Sequence, residues 1–221
     1  MSLLTTVRTT ILLAFKALPL LLISFIGFLA LGLGNLSLFM LFIGHALAVP
    51  LMTELLHLGT KSRGELVVSN DVATLVPLSP TTGVSYNTPV NILPTYWMAH
   101  ISFFFGYLLM NAISISLVTP EKGAADWMVI SRKTRAITLI VSIVFLFFLT
   151  AFLRLYLTGM DTWKGIGLAM VVLGGAGMGW YKLAEVCGTA NSDIFGIAQK
   201  MVTQDTGNKK PVTCVYAPKA Q

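Results

Sequence analysis

Charge is scarce in this chain. Asp, Glu, Lys and Arg make up 11% of its 221 residues, where an ordinary soluble domain carries roughly 25%. With a 55% share of hydrophobic residues and a mean hydropathy of +0.79, that shortage excludes a water-soluble globule, whose short amphipathic segments could not absorb so much apolar surface. Cysteine is rare too: Cys187 and Cys214 are the only two, too few for a disulfide framework and without the spacing of a zinc site, though one bridge between them stays open. Nine acidic residues and three histidines leave little material for metal or acid–base chemistry. No Gly-x-Ser-x-Gly elbow, His-Glu-x-x-His pair, Walker loop or dinucleotide fingerprint occurs. No catalytic, cofactor or metal constellation is therefore expected. The net charge of +6 does not point to nucleic acid, because the 15 Lys and Arg are scattered and flank apolar runs, as membrane-edge anchors do.

What the chain has instead is long apolar runs. A helix needs about 20 apolar residues to cross the hydrocarbon core, and that ruler predicts an all-α polytopic membrane protein with five spans, near residues 11–31, 36–56, 96–118, 136–157 and 166–183. The first run is too long for a secretory h-region, so no removed targeting segment is expected. Gly32, Gly34 and Asn35 leave room only for a tight turn, making residues 1–57 an N-terminal hairpin. Pro19 and Pro50 fall inside its runs, where a membrane helix tolerates a kink. Residues 58–95 turn to Ser, Thr, Asn and Pro, with Pro77, Pro80, Pro89 and Pro94 breaking any long helix. This segment reads as one extramembrane loop that docks a partner. Residues 96–185 hold the other three spans, and 186–221 a juxtamembrane helix and polar tail. Arg154 near the end of the fourth span is expected to snorkel. Lys122, Arg132, Lys133 and Arg135 form a basic linker before that span, which places the linker and the tail on the cytosolic side by the positive-inside rule.

Few residues within the runs could do chemistry. Glu54 and His57 form an E-x-x-H pair, half of the arrangement that di-metal carboxylate proteins use twice; no second copy exists, and polar residues closing a span at the interface explain the pair. His45 and His100 lie inside spans, where an ionisable group is a functional candidate for proton transfer or metal binding. A neutral imidazole bonded to a neighbouring helix explains each equally well. Lys16 is close enough to a helix end to snorkel. Gly175 and Gly179 have the G-x-x-x-G spacing that lets backbones approach closely, within the chain or between chains, and Gly174 and Gly177 widen that surface.

The stretch GWYKLAEVCGTANSDIFGIAQKM and the closing KKPVTCVYAPKAQ resemble a group of membrane proteins of large icosahedral DNA viruses of algae and protists. The likeness rests on Trp180, Tyr181, Cys187, Gly188, Ser192, Asp193, Phe195, Gly196 and the segment Cys214, Val215, Tyr216, and covers the last third of the chain. It implies a structural protein of a viral inner membrane, not an enzyme, that binds minor capsid proteins and ties the shell to the bilayer, with Ser192, Asp193, Phe195, Cys214, Val215 and Tyr216 as partner-binding residues. Physically, SDIFGIAQKM can form a short amphipathic helix capped by Ser192, and VTCVY can add as a strand to a partner's sheet. The lipid bilayer and other structural proteins are the expected partners, with no specific nucleic acid. Two other classes stay open: a small transporter or channel built on His45, Glu54 and His100, or an accessory subunit of an energy-converting membrane complex.

Overall fold

The computed structural model describes residues 10, 14, 15, 17–61, 94–117, 126–158, 161–188 and 194, with side chains throughout except at 57–61, 126–128, 157 and 158. The described residues form helices and no strand. We number the helices α1, Leu18–Leu33; α2, residues 36–61; α3, Tyr96–Leu117; α4, residues 126–158; and α5, Trp163–Val186. Three of them contain a wider π-turn: Gly44–Ala48 in α2, Arg154–Thr158 closing α4 and Ala169–Gly174 in α5.

Four helices are long and apolar enough to cross a membrane: Leu36–Leu56, Tyr96–Leu117, Val129–Tyr156 and Trp163–Val186, of 21, 22, 28 and 24 residues. The expected first span is represented by a shorter helix, α1, of 16 residues. Its start explains the difference. Ala17 is a turn and Pro19 sits in the first turn of α1 instead of inside a helix, the position its fixed φ and missing N–H suit best. The fourth span differs at the other extreme. Its helix begins at Asp126, ten residues before the expected boundary, because lipid limits the length of the apolar stretch while the helix itself continues through charged residues. Arg132, Lys133 and Arg135 are therefore helical, and Arg132 is buried. Helix α2 likewise runs through Lys61, into the first residues of the expected loop; 62–93 lie outside the described residues.

The turn between α1 and α2 is as tight as its residues demand. Gly34 takes a left-handed φ of 59°, open to glycine without a Cβ penalty, and its N–H reaches back to the Ala30 carbonyl. Asn35 then caps α2, its Oδ1 accepting from the N–H groups of Ser37 at 3.0 Å and Leu38 at 3.2 Å and from the Ser37 hydroxyl at 2.7 Å. The first N–H groups of a helix have no carbonyl partner within it, and the side chain's oxygen supplies one.

Helix α3 is the axis of the bundle. It touches all four other helices, and 61% of its apolar window is buried against 22–33% for the other three spans. The outer faces of the helices around α3 present large apolar side chains, such as Phe28 and Leu31 of α1 and Val171 of α5, each more than 70% exposed. Such a surface belongs in lipid, and the chain is an integral membrane protein. Chain direction alternates through the bundle, so contacts at one end bring together the residues before α1, the end of α2, the start of α3, the end of α4 and the start of α5. Close packing of α3 on α5 depends on two glycines. A Cβ at Gly106 would run into the Gly174 carbonyl, and one at Gly177 into the carbonyl of Phe103.

Candidate functional site

Ten consecutive residues, from Pro94 to Phe103, are buried, and the polar side chains among them organise one end of the bundle. Thr95 stands at the N-cap of α3: its Oγ1 accepts from the Met98 N–H at 3.2 Å and donates to Asp161 Oδ2 at 3.2 Å. The same carboxylate oxygen accepts from Arg154 Nε at 2.7 Å. Both partners of this ion pair are withdrawn from solvent, with side-chain exposures of 0% and 1%. The Arg154 guanidinium lies 4.8 Å from the centroid of Trp97. Trp97 in turn donates its indole N–H to the Phe15 carbonyl at 3.0 Å and rests against the Phe15 ring. On the other side, the Tyr96 hydroxyl donates to Glu54 of α2, and Thr162 caps α5 through the Gly165 N–H at 3.1 Å. The cluster links the residues before α1 with α2, α3, α4 and α5. It also corrects the reading of Arg154, which does not reach out to water: it opens a π-turn at the end of α4, and Asp161, just ahead of α5, gives the cation a partner inside the bundle.

One turn further along α3 lies the second polar feature. His45 and His100 face each other with Nδ1 atoms 3.2 Å apart, and both residues are completely buried. Their rings stack at 5.4 Å, with Phe103 edge-on to His45 at 5.1 Å and Phe104 at 6.2 Å. The Nε2 atom of each ring is buried with no hydrogen-bond partner among the described residues. The backbone under His45 is unusual for a reason visible in the chain. The N–H of Val49 bonds the Gly44 carbonyl five residues back, immediately before Pro50, which has no N–H to continue the ladder. Gly44 leaves no space for a Cβ, since Phe103 and the indole of Trp180 occupy it, and Trp180 donates to the Met40 carbonyl at 2.8 Å. π-turns of this kind are frequent at functional sites because they re-aim one side chain.

The other expected residues distribute as follows. Gly175 and Gly179 meet nothing within contact distance; close packing inside the bundle falls to Gly174 and Gly177, the two glycines expected only to widen that surface, leaving the G-x-x-x-G spacing on the outer face. Glu54 bonds Tyr96, while the side chain of His57 lies outside the described residues, as do Lys16, Lys122, Ser192, Asp193, Phe195, Cys214, Val215 and Tyr216. Ile194 is described, half-buried against the cluster that contains Tyr107, Leu173 and Tyr181. Cys187 is exposed just past α5. Sequence reasoning missed Thr95 and Asp161. A signal for Asp161 was present: it is an acid in the short segment that joins two spans, seven residues after an arginine.

Comparison of the chain with protein-family models, with curated proteins and with solved structures finds no match.

Proposed function

We propose that the chain is a structural anchor of a viral inner membrane, a five-span bundle that ties the bilayer to minor capsid proteins of an icosahedral shell. The observation that carries the proposal is the lock at one end of the bundle, where Trp97, Arg154, Asp161, Thr95 and the Tyr96–Glu54 bond join the helices side chain to side chain. An anchor must transmit load between a shell and a fluid bilayer without its helices sliding apart, and buried bonds between spans resist that shear. In this proposal α1, about 24 Å long at 1.5 Å per residue, crosses as the fifth span together with helical residues 14 and 15 ahead of it. Loop 58–95 and the tail then lie on opposite sides, with Arg132, Lys133, Arg135 and the tail facing the cytosol. Partners engage the tail through Ser192, Asp193, Phe195, Cys214, Val215 and Tyr216, and Ile194 ties its beginning to the bundle. Truncation after Gln204 is expected to leave the membrane bundle folded and to abolish retention of partner proteins in assembled particles. Unchanged assembly and retention would remove the tail from the account.

A second reading, a small transporter or channel, is favoured by one observation: the two intramembrane histidines of α2 and α3 meet. Flux into proteoliposomes that disappears with His100→Ala supports it, and absence of flux supports the anchor.

A further inference from the structure

We infer that the first turns of α4 bind anionic phospholipid, one headgroup at Lys133 and another at Arg135. The charge balance of the helix is the first observation. No acid lies between Asp126 and Asp161 in the sequence, while Arg132, Lys133, Arg135 and Arg154 bring four cations. Arg154 is matched inside the bundle by Asp161, as Lys182 of α5 is by Glu185, and Arg132 is buried. Lys133 and Arg135 differ: both are exposed, and no ion pair among the described residues includes either. The second observation is what surrounds them. Ile130 before them and Ile137 and Val141 after them are each more than half exposed, so the two cations interrupt a surface that belongs in lipid.

Helix geometry sets their depth and their partners. Tyr156, exposed near the far end of α4, is a side chain that favours the membrane–water interface. Counting back from it by about 30 Å, the thickness of the hydrocarbon core, at about 1.5 Å per residue arrives at Ala136, directly after Arg135. The two cations therefore stand at the level of the lipid phosphates, within reach of their long side chains. At about 3.6 residues per turn they lie about 160° apart, on opposite flanks of the buried stripe of Arg132, Ala136 and Ile143, so no single headgroup touches both. Arginine takes a phosphate through two N–H groups, and lysine meets it as a point charge. A zwitterionic headgroup neutralises its phosphate with its own ammonium, whereas an anionic one leaves a net charge for the unmatched cation. That difference selects the lipid, by about fivefold at each cation. The inference needs only that the chain spans a bilayer, and it holds whether or not the chain is an anchor.

The test is native mass spectrometry of the full chain released from micelles of an uncharged detergent that hold equal amounts of phosphatidylglycerol and phosphatidylcholine. Phosphatidylglycerol is expected to be retained about fivefold over phosphatidylcholine, with Lys133→Gln and Arg135→Gln each removing one bound lipid and the double variant losing the preference. Both side chains are exposed, so the variants are expected to unfold as the wild type does in micelles with phosphatidylcholine alone. Equal retention of the two lipids by the wild type, a result that needs no variant, overturns the inference. So does an unchanged preference in the double variant, which would assign the lipid to basic residues elsewhere. Displacement of the lipid by excess glycerol phosphate also overturns it, since the ligand would then be a soluble phosphate.

Discussion

The buried ion pair offers the most discriminating test of the fold. Arg154 and Asp161 have essentially no solvent contact, and the carboxylate oxygen that holds the guanidinium also accepts from Thr95. Asp161→Asn keeps the shape of the side chain and removes its charge. The guanidinium then loses its counter-charge and stays buried against Trp97. Breaking a buried pair in this manner costs about 3–5 kcal/mol. At 1.36 kcal/mol per tenfold change, that is about two to four powers of ten in the unfolding equilibrium. Arg154→Met leaves the Asp161 carboxylate with the Thr95 hydroxyl still donating to it and is expected to be destabilising as well. The double variant Arg154→Met with Asp161→Leu replaces the pair by apolar groups of similar size and is expected to recover most of the loss. The assay is equilibrium unfolding in mixed micelles of the wild type, both single variants and the double variant. Additive losses in the double variant, or an Asp161→Asn cost under about 1 kcal/mol, the value of an exposed pair, would refute the claim that the two charges depend on each other inside the bundle.

Other expectations follow from the same geometry. Gly106→Ala and Gly177→Ala each drive a methyl group into backbone that cannot rotate away, and overpacking of this kind costs about 1–3 kcal/mol; Gly175→Ala and Gly179→Ala, which meet open space, are expected to leave unfolding in micelles unchanged or to stabilise by up to about 1 kcal/mol. Measuring all four together separates the packed glycine face from the exposed one. Asn35→Ala removes the acceptor for two backbone N–H groups and a hydroxyl at the α1–α2 turn and is expected to cost about 1 kcal/mol, with Asn35→Asp close to wild type; equal stability of both variants would show that the cap contributes nothing.

Legibility in the sequence differed sharply between the spans and the site. Tyr96 was expected to open a span and does so, because an apolar stretch after a proline-rich segment is bounded by residue chemistry alone. Helix α4 starts ten residues before the expected span, since nothing in the Asp126–Arg135 stretch distinguishes a helical extension from a linker. Arg154 was assigned to water because the rule for a cation near a helix end considers only its own helix. Its partner, Asp161, lies beyond the end of its own helix, and its aromatic platform, Trp97, is on another span. The two histidines were grouped as candidates for one site, but their direct contact was not legible: 55 residues separate them, and no periodicity carries information over that distance.

By itself the sequence determined the solvent, the all-helical class and the tight hairpin at Gly34 and Asn35, because a backbone in hydrocarbon must satisfy its own hydrogen bonds and only long apolar helices with well-capped turns achieve that. Tertiary structure alone decided which glycines pack, that Arg154 points inward to Asp161, and that His45 meets His100. Those outcomes depend on the rotation of each helix about its axis, which π-turns and crossing angles set by a few tens of degrees, and an apolar composition that is nearly uniform around a membrane helix leaves that rotation unspecified until the helices touch.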